Sequence, residues 1–306
     1  MPNNSEIEGL QKLLLRRNKA DRIFASNRLV ELGAISDELK YFVQHSASWL
    51  TAVAKVGKLH LVPMNLLMRN LDKRDKAGNT ILGCAIVGGT LDKVPKQLLT
   101  KEFLLPIGLA AYGRNCLHLA AIYGQLDKVP AELLVLENLQ IKDCHNYTVF
   151  HCAAFNRHLD QIPRALLTKE NLFLRGPCNN TVLHIAAATG ALAQIPEELL
   201  TVDNLLDTYN LLTTCFHDAA EDGHFDTIPK ISLTEEALLV RNSEGISALQ
   251  IAAEHKHLDQ LLDLGVKLSV KSIPIVGKDW FERYQAAIKS IATLVSDQNS
   301  QNLEMF

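Results

Sequence analysis

NCLHLAAIYGQLDKVPAELL (115–134), TVFHCAAFNRHLDQIPRALL (148–167), TVLHIAAATGALAQIPEELL (181–200) and TCFHDAAEDGHFDTIPKISL (214–233) are one segment written four times, and they decide the fold. Working outward, six prolines follow an aliphatic residue: Pro63, Pro95, Pro130, Pro163, Pro196 and Pro229, at spacings of 32, 35, 33, 33 and 33. One further step of 33 reaches Leu262, where the proline is lost. Twelve residues before each anchor stands a second series, Thr51, Gly83, His118, His151, His184, His217 and Gln250, and this interval never varies. Length variation is therefore confined to the other part of the unit, which holds the tolerant loop. Two position series sharing one period over six or seven copies mark a chain of stacked units.

A unit of 33 residues with T-x-L/F-H-x-A-A-x-x-G-x-L resembles the ankyrin repeat, over about residues 43–268. The resemblance implies an all-α, ankyrin-like helical solenoid of about six to seven repeats with helical caps. The expected division is 1–42 as an N-terminal helical cap, repeats at about 43–74, 75–109, 110–142, 143–175, 176–208, 209–241 and 242–268, and 269–306 as a C-terminal capping helix and tail. Leu117, Ala120 and Ala121 fall on one face of a first helix. The alanine pair lets neighbouring helices approach closely. Two residues before each Thr lies Gly78, Gly113, Asn146, Asn179 or Gly245, residues that accept a left-handed backbone, so a tight turn is expected at the tip of each repeat. Leu212 breaks this rule. A left-handed Leu costs roughly 1–2 kcal/mol, so this turn is either strained or differently shaped, and early opening is expected near 207–214.

The sequence also departs from the family. Ile81, Cys116, Val149, Val182, Cys215 or Ala248 replaces the proline of the TPLH motif. The anchor prolines fall inside what is usually a long second helix, where proline removes a donor and clashes with the preceding turn. A short helix starting at each anchor, as in PAELL, is expected. A further short turn then follows, N-capped by Thr168 or Thr201 with Glu170 or Asp203 just inside.

At the ends, IEGLQKLLLRR is amphipathic, DELKYFVQH is a second candidate helix, and residues 43–74 read as a degenerate repeat with Trp49 and Leu50 on its first helix. KDWFERYQAAIKSIATLV places Trp280, Tyr284, Ala287, Ile288, Ile291 and Leu294 on one stripe. This reads as a capping helix, or alternatively as a docking helix for a partner or for self-association.

Composition excludes little and suggests an ordinary soluble chain: 306 residues, 47% apolar, 21% charged, with 31 basic and 34 acidic residues giving a net charge of −3. That balance gives no reason to expect nucleic-acid binding. The start MPNNSEIEGL has no signal-peptide core, and no apolar run approaches the roughly 20 residues of a membrane span. Six cysteines without a CxxC point to free thiols and a cytoplasmic location.

Stacked helices stand about 8–10 Å apart, so His118, His151, His184 and His217 form a ladder rather than a metal cage. In the family this histidine is similar to a structural group tying neighbouring turns together. Cys144, His145, His151 and Cys152 match no zinc spacing, and Cys116, Cys152 and Cys215 read as packing residues. His255 and His257 read as surface residues. Phosphate-loop, nucleophile-elbow, zincin and dinucleotide motifs are absent, so neither enzyme activity nor a cofactor is expected.

The resemblance implies binding through turn tips and the inner face of the first helix. On those positions stand Tyr112, Ile122, Tyr123, His145 and Phe155 in the N-terminal half, and Asp218, Glu221, Asp222 and Glu254 in the C-terminal half. The expected function is a non-catalytic protein–protein interaction module, scaffold or adaptor, for a protein partner with an apolar anchor and a basic flank. A dedicated inhibitor or immunity-type protein is the alternative, followed by an enzyme with its site in an end segment, and a monomer without nucleic-acid or membrane partners is the expected state. The bland reading of the same residues is that Ile122 and Phe155 pack between repeats and the acids form a solvated face.

Overall fold

The first half of every repeat is a helix because an oxygen-bearing side chain stands at its start. Thr80, Thr181 and Ser247 accept the amides of Gly83, His184 and Gln250 at 3.3 Å, satisfying donors that a helix N-terminus leaves without an intrahelical partner. The computed structural model describes residues 4–14, 25, 28, 29, 47–106 and 111–289. The second N-terminal candidate, DELKYFVQH, and Ile291 and Leu294 of the C-terminal stripe lie outside them. Among the described residues there is no β-strand, only isolated bridges, and the architecture is all-α.

Two compact units span Met1–Leu166 and Leu167–Phe306. In the first, helix Ala47–Lys55 packs on Ile81–Val87, that on Cys116–Ile122, and that on Val149–Phe155. In the second, Val182–Thr189 packs on Cys215–Asp222 and that on Ala248–Glu254. The alanine pairs make this stacking possible: Ala120, Ala121, Ala153 and Ala154 in one unit, and Ala186, Ala187, Ala219 and Ala220 in the other, have no exposed surface. Phe150 and Phe216 are also fully buried, each contributing roughly 2–3 kcal/mol of apolar burial.

The second half of the repeat is three single turns instead of one helix. After Cys116–Ile122 come the 3-10 turns Leu126–Lys128 and Ala131–Leu133 and the α-turn Leu136–Leu139. The anchor prolines do not occupy the first helical position, as the sequence reading has it, but the cap just before it. Pro95, Pro130, Pro196 and Pro229 have φ from −52° to −55° and ψ from 126° to 133°. Each forces its predecessor out of the helical region, and Val94 and Val129 are accordingly extended. Leu262 is the internal control: where the proline is lost, Leu258–Asp263 runs as a continuous α-helix. Thr168, Thr201 and Thr234 cap the closing turns by accepting the amides of Asn171, Asn204 and Ala237.

The tips follow two designs. Where the residue five before the N-cap is Asp75, Asp143 or Asn242, its Oδ1 accepts two tip amides, such as His145 at 2.9 Å and Tyr147 at 3.0 Å. Gly78, Asn146 and Gly245 are then left-handed, with φ of 84°, 67° and 77°. The other tips carry two successive left-handed residues: Tyr112 and Gly113, Cys178 and Asn179, Leu211 and Leu212. Leu212, at φ 56°, adopts the left-handed turn in spite of its side chain. The carbonyls of Tyr112 and Leu211 accept amides of the next tip, Cys144 at 3.0 Å and Ser243 at 2.7 Å.

Helix 278–289 buries Phe281 and Tyr284, while Trp280 is half-buried and donates to Asp259. The Tyr284 hydroxyl donates to the Val266 carbonyl at 2.5 Å and accepts the Leu268 amide at 2.8 Å. The buried stripe thus includes Phe281, which the sequence reading passed over.

Candidate functional site

Two ladders of side chains fix the surface that the first helices present. The forward ladder is the histidine series. Nδ1 of His118, His151 and His217 accepts the backbone amide of Asn115, Thr148 and Thr214 at 3.2–3.3 Å. Nε2 of His118, His184 and His217 donates to the carbonyls of Tyr147, Asp207 and Ile246 at 2.9–3.2 Å. A carbonyl can only accept, so Nε2 carries the proton and these rings are neutral. Burial lowers the pKa of His118 and His217, and that of His184 to about 4.

The backward ladder begins at the residue before each L-D or F-D turn. Thr90 and Gln125 donate to the carbonyls of Ala54 and Ile86. His158 and His257 donate through Nδ1 to Ala121 at 2.8 Å and Ala220 at 2.9 Å. These acceptors lie on the first helix of the preceding repeat. His257 is therefore half-buried and bonded across repeats, rather than a plain surface residue, and His255 makes the same kind of bond to the Glu221 carbonyl at 2.9 Å. Left-handed tips beside isolated bridges, a helix capped by Thr and His, and first helices stacked through paired alanines make an ankyrin-like helical arrangement.

A similar solved structure is the ankyrin repeat domain of Bcl-3, described as a unique member of the IkappaB protein family. It shares 18% identity at a TM-score of 0.49, over 69% of this chain and 96% of that domain. No protein-family model and no curated protein matches the sequence.

In the first unit, the tips and helix ends bring Tyr112, Ile122, His145 and Phe155 to one region. Tyr112 is 59% exposed, Tyr123 47% and Phe155 44%, His145 is exposed, and Ile122 is half-buried. The Tyr112 ring lies 5.3 Å from that of His145, with the Arg114 guanidinium 5.3 Å from its centre. Arg114 Nε reaches Asp143 Oδ2 at 3.2 Å, and the Asp143 side chain is fully buried. Phe155 meets Tyr147 edge-on at 5.3 Å. A hollow of about 350 Å³ is lined by Arg114, Ile122, Tyr147, Cys152, Phe155 and Asn156.

In the second unit, Glu221, Asp222 and Glu254 are exposed, as a partner-facing acid must be. Asp218 is not: it is 7% exposed. Its helical register places it with Leu119, Cys152, Ile185 and Ile251, positions pointed at the helix-to-tip interface. Oδ1 accepts the Tyr209 hydroxyl at 2.9 Å, and Oδ2 is buried without a hydrogen-bond partner. Burial, then repulsion from Glu221 and Asp222, pushes the carboxyl up to about 7 against the pull of that hydrogen bond. A second hollow, of about 260 Å³, lies here.

The thiols split by place. Burial raises Cys84, Cys116 and Cys152 to about 12 and Cys215 well above its ordinary value, which keeps them protonated packing groups. Cys144 and Cys178 are exposed at tips. Among the described residues no three His, Cys, Asp or Glu side chains group as metal ligands, and no helix is long and apolar enough to cross a membrane.

Proposed function

We propose that this chain is a protein-binding module, a scaffold or adaptor, whose first unit grips an apolar segment of its partner. The observation that carries the reading is the aromatic set on the tips and helix ends. Tyr112, Tyr123 and Phe155 are the exposed large aromatic side chains among the described residues, beside the exposed aliphatic Val56, Met68, Val135 and Leu136 of the same unit. Aromatic residues held on rigid elements are the usual anchors of an interface, since little side-chain freedom is lost on binding. Phe155 lines the hollow, and none of the three rings takes part in the two hydrogen-bonded ladders. The exposed acids of the second unit suit a partner that also carries basic residues.

The test is capture from extract of the native cell with the full chain as bait. Tyr123→Ala with Phe155→Ala should lose the captured protein while the melting temperature stays within ~2 °C. Undiminished capture, or a loss explained by unfolding, would reject the reading.

A further inference from the structure

The second hollow contains a charge that its repeat position does not call for. At matching places the other repeats carry Leu119, Cys152, Ile185 and Ile251, all apolar or weakly polar. Asp218 replaces them with a carboxylate, and Tyr209, five residues before the N-cap, supplies one hydrogen bond to it. The other oxygen has none. A buried carboxylate with a free oxygen is costly, and evolution or design ordinarily removes one by an apolar substitution. Each of those places, and Cys84 in the repeat before Leu119, carries an uncharged residue, and a charge stands only at this one of the matching places.

The surroundings define what would satisfy that oxygen. Asp218 forms the buried floor, while Glu221 and Glu244 are exposed at the mouth. Leu211, Ile246 and Ile251 supply apolar sides. No lysine or arginine lines the hollow among the described residues. The neighbouring His217 is spoken for, since its Nε2 donates to the Ile246 carbonyl. Tyr209 keeps its proton, because burial and then the charge of Asp218 push the phenol well above its ordinary range, so it remains a donor to the carboxylate.

We propose that the Asp218 hollow is a subsite for the cationic side chain of a lysine or arginine presented by a protein partner. The aliphatic stem lies against Leu211, Ile246 and Ile251, and the charged head reaches Asp218 Oδ2 past the acidic mouth. An ammonium or guanidinium has the donors that this oxygen lacks, and a stem of three or four methylenes spans mouth to floor. The raised carboxyl is consistent with this: an arriving cation removes the destabilisation that burial imposes. The proposal rests on the protein-binding reading only for the source of the side chain.

Isolated probes therefore test the hollow apart from any partner. Acetyl-lysine methylamide, acetyl-arginine methylamide and the uncharged acetyl-norleucine methylamide would be titrated into the full chain at pH 8, followed by amide chemical shifts. The expected result is saturable shifts at Tyr209, Asp218, Ile246 and Ile251 with a cationic probe and none with norleucine. Asp218→Asn, which keeps the shape and the Tyr209 partner, should weaken the cationic probe about 10-fold or more. Asp218→Leu, which restores the sister repeats' residue, should abolish its binding without unfolding the chain. No saturable shift with either cation, equal response to norleucine, or equal affinity in Asp218→Asn would overturn the proposal. Probe binding that survives alongside a failed capture experiment would reject the protein-binding reading and leave the hollow standing.

Discussion

The hollow of the first unit and the hollow of the second are lined from matching positions of the 33-residue period, three periods apart in the sequence, and differ in nearly every lining residue. Ile122 corresponds to Glu221, Tyr147 to Ile246, Cys152 to Ile251, Asn156 to His255 and Arg114 to Thr213. In the first, the buried acid is Asp143 at the tip, and it is matched by Arg114 and by two tip amides. In the second, the corresponding tip residue is the neutral Asn242, the arginine has become a threonine, and the acid sits on the helix at Asp218 with one oxygen unmatched. One charge is closed within its unit and the other is open. The two ladders and the tip turns, which both units share, set the frame, while the lining differs from one to the other.

The largest effect should come from opening the closed charge. Arg114→Ala leaves Asp143 buried and unpaired, and about 3 kcal/mol of stability should be lost in denaturant unfolding. A loss below ~1 kcal/mol would show that the tip amides alone satisfy the carboxylate, and the contrast between units would weaken.

Closing the open charge should act in the opposite direction. Asp218→Leu should stabilise the chain by about 2 kcal/mol at pH 8. The sign follows from the raised carboxyl. Its folded value of about 7 lies above the ordinary 3.8, so the folded state holds this proton more tightly. The associated stability is present below the ordinary value and is lost as pH rises through 7. The gain from Asp218→Leu should therefore shrink between pH 8 and pH 5. A gain independent of pH would mean that burial does not perturb the carboxyl.

A smaller effect separates the two tip designs. Leu211 and Leu212, both left-handed and exposed, lack the Asx bonds that hold the Asp143 tip. Leu212→Gly should stabilise by about 1 kcal/mol. Hydrogen exchange should show 207–214 opening before 143–148 in the wild type. Equal protection of the two tips would show that the bond from Ser243 to the Leu211 carbonyl compensates for the strain.

Much of this was legible before any coordinates. The invariant 12-residue interval marks the common frame, and one left-handed position per tip follows from where Gly and Asn recur, with Leu212 as the exception in kind; the additional left-handed residues Tyr112, Cys178 and Leu211 do not follow from that pattern. The prolines were readable as helix breakers but misplaced by one residue: proline's fixed φ suits a cap as well as a first helical position, and only the extended ψ distinguishes them. The backward ladder was not legible, because Thr90, Gln125, His158 and His257 share a place in the repeat but not a chemistry, and their carbonyl acceptors lie 36 to 39 residues away. Asp218 was read as an exposed acid because it sits among Glu221 and Asp222. Its register with Leu119 and Ile185 was the available signal that it is buried. Helix 278–289 shows the same limit, since Phe281 faces inward beside Tyr284 through tertiary packing that periodicity alone does not assign.

Exchanging one lining residue tests the central claim most directly. Ile122→Glu puts into the first hollow the residue that stands at 221 in the second, at a half-buried position outside both ladders. With full-length chain as bait, this account predicts that the captured partner is lost while the melting temperature moves by less than ~2 °C. Capture at the wild-type level by a chain of wild-type stability would contradict it.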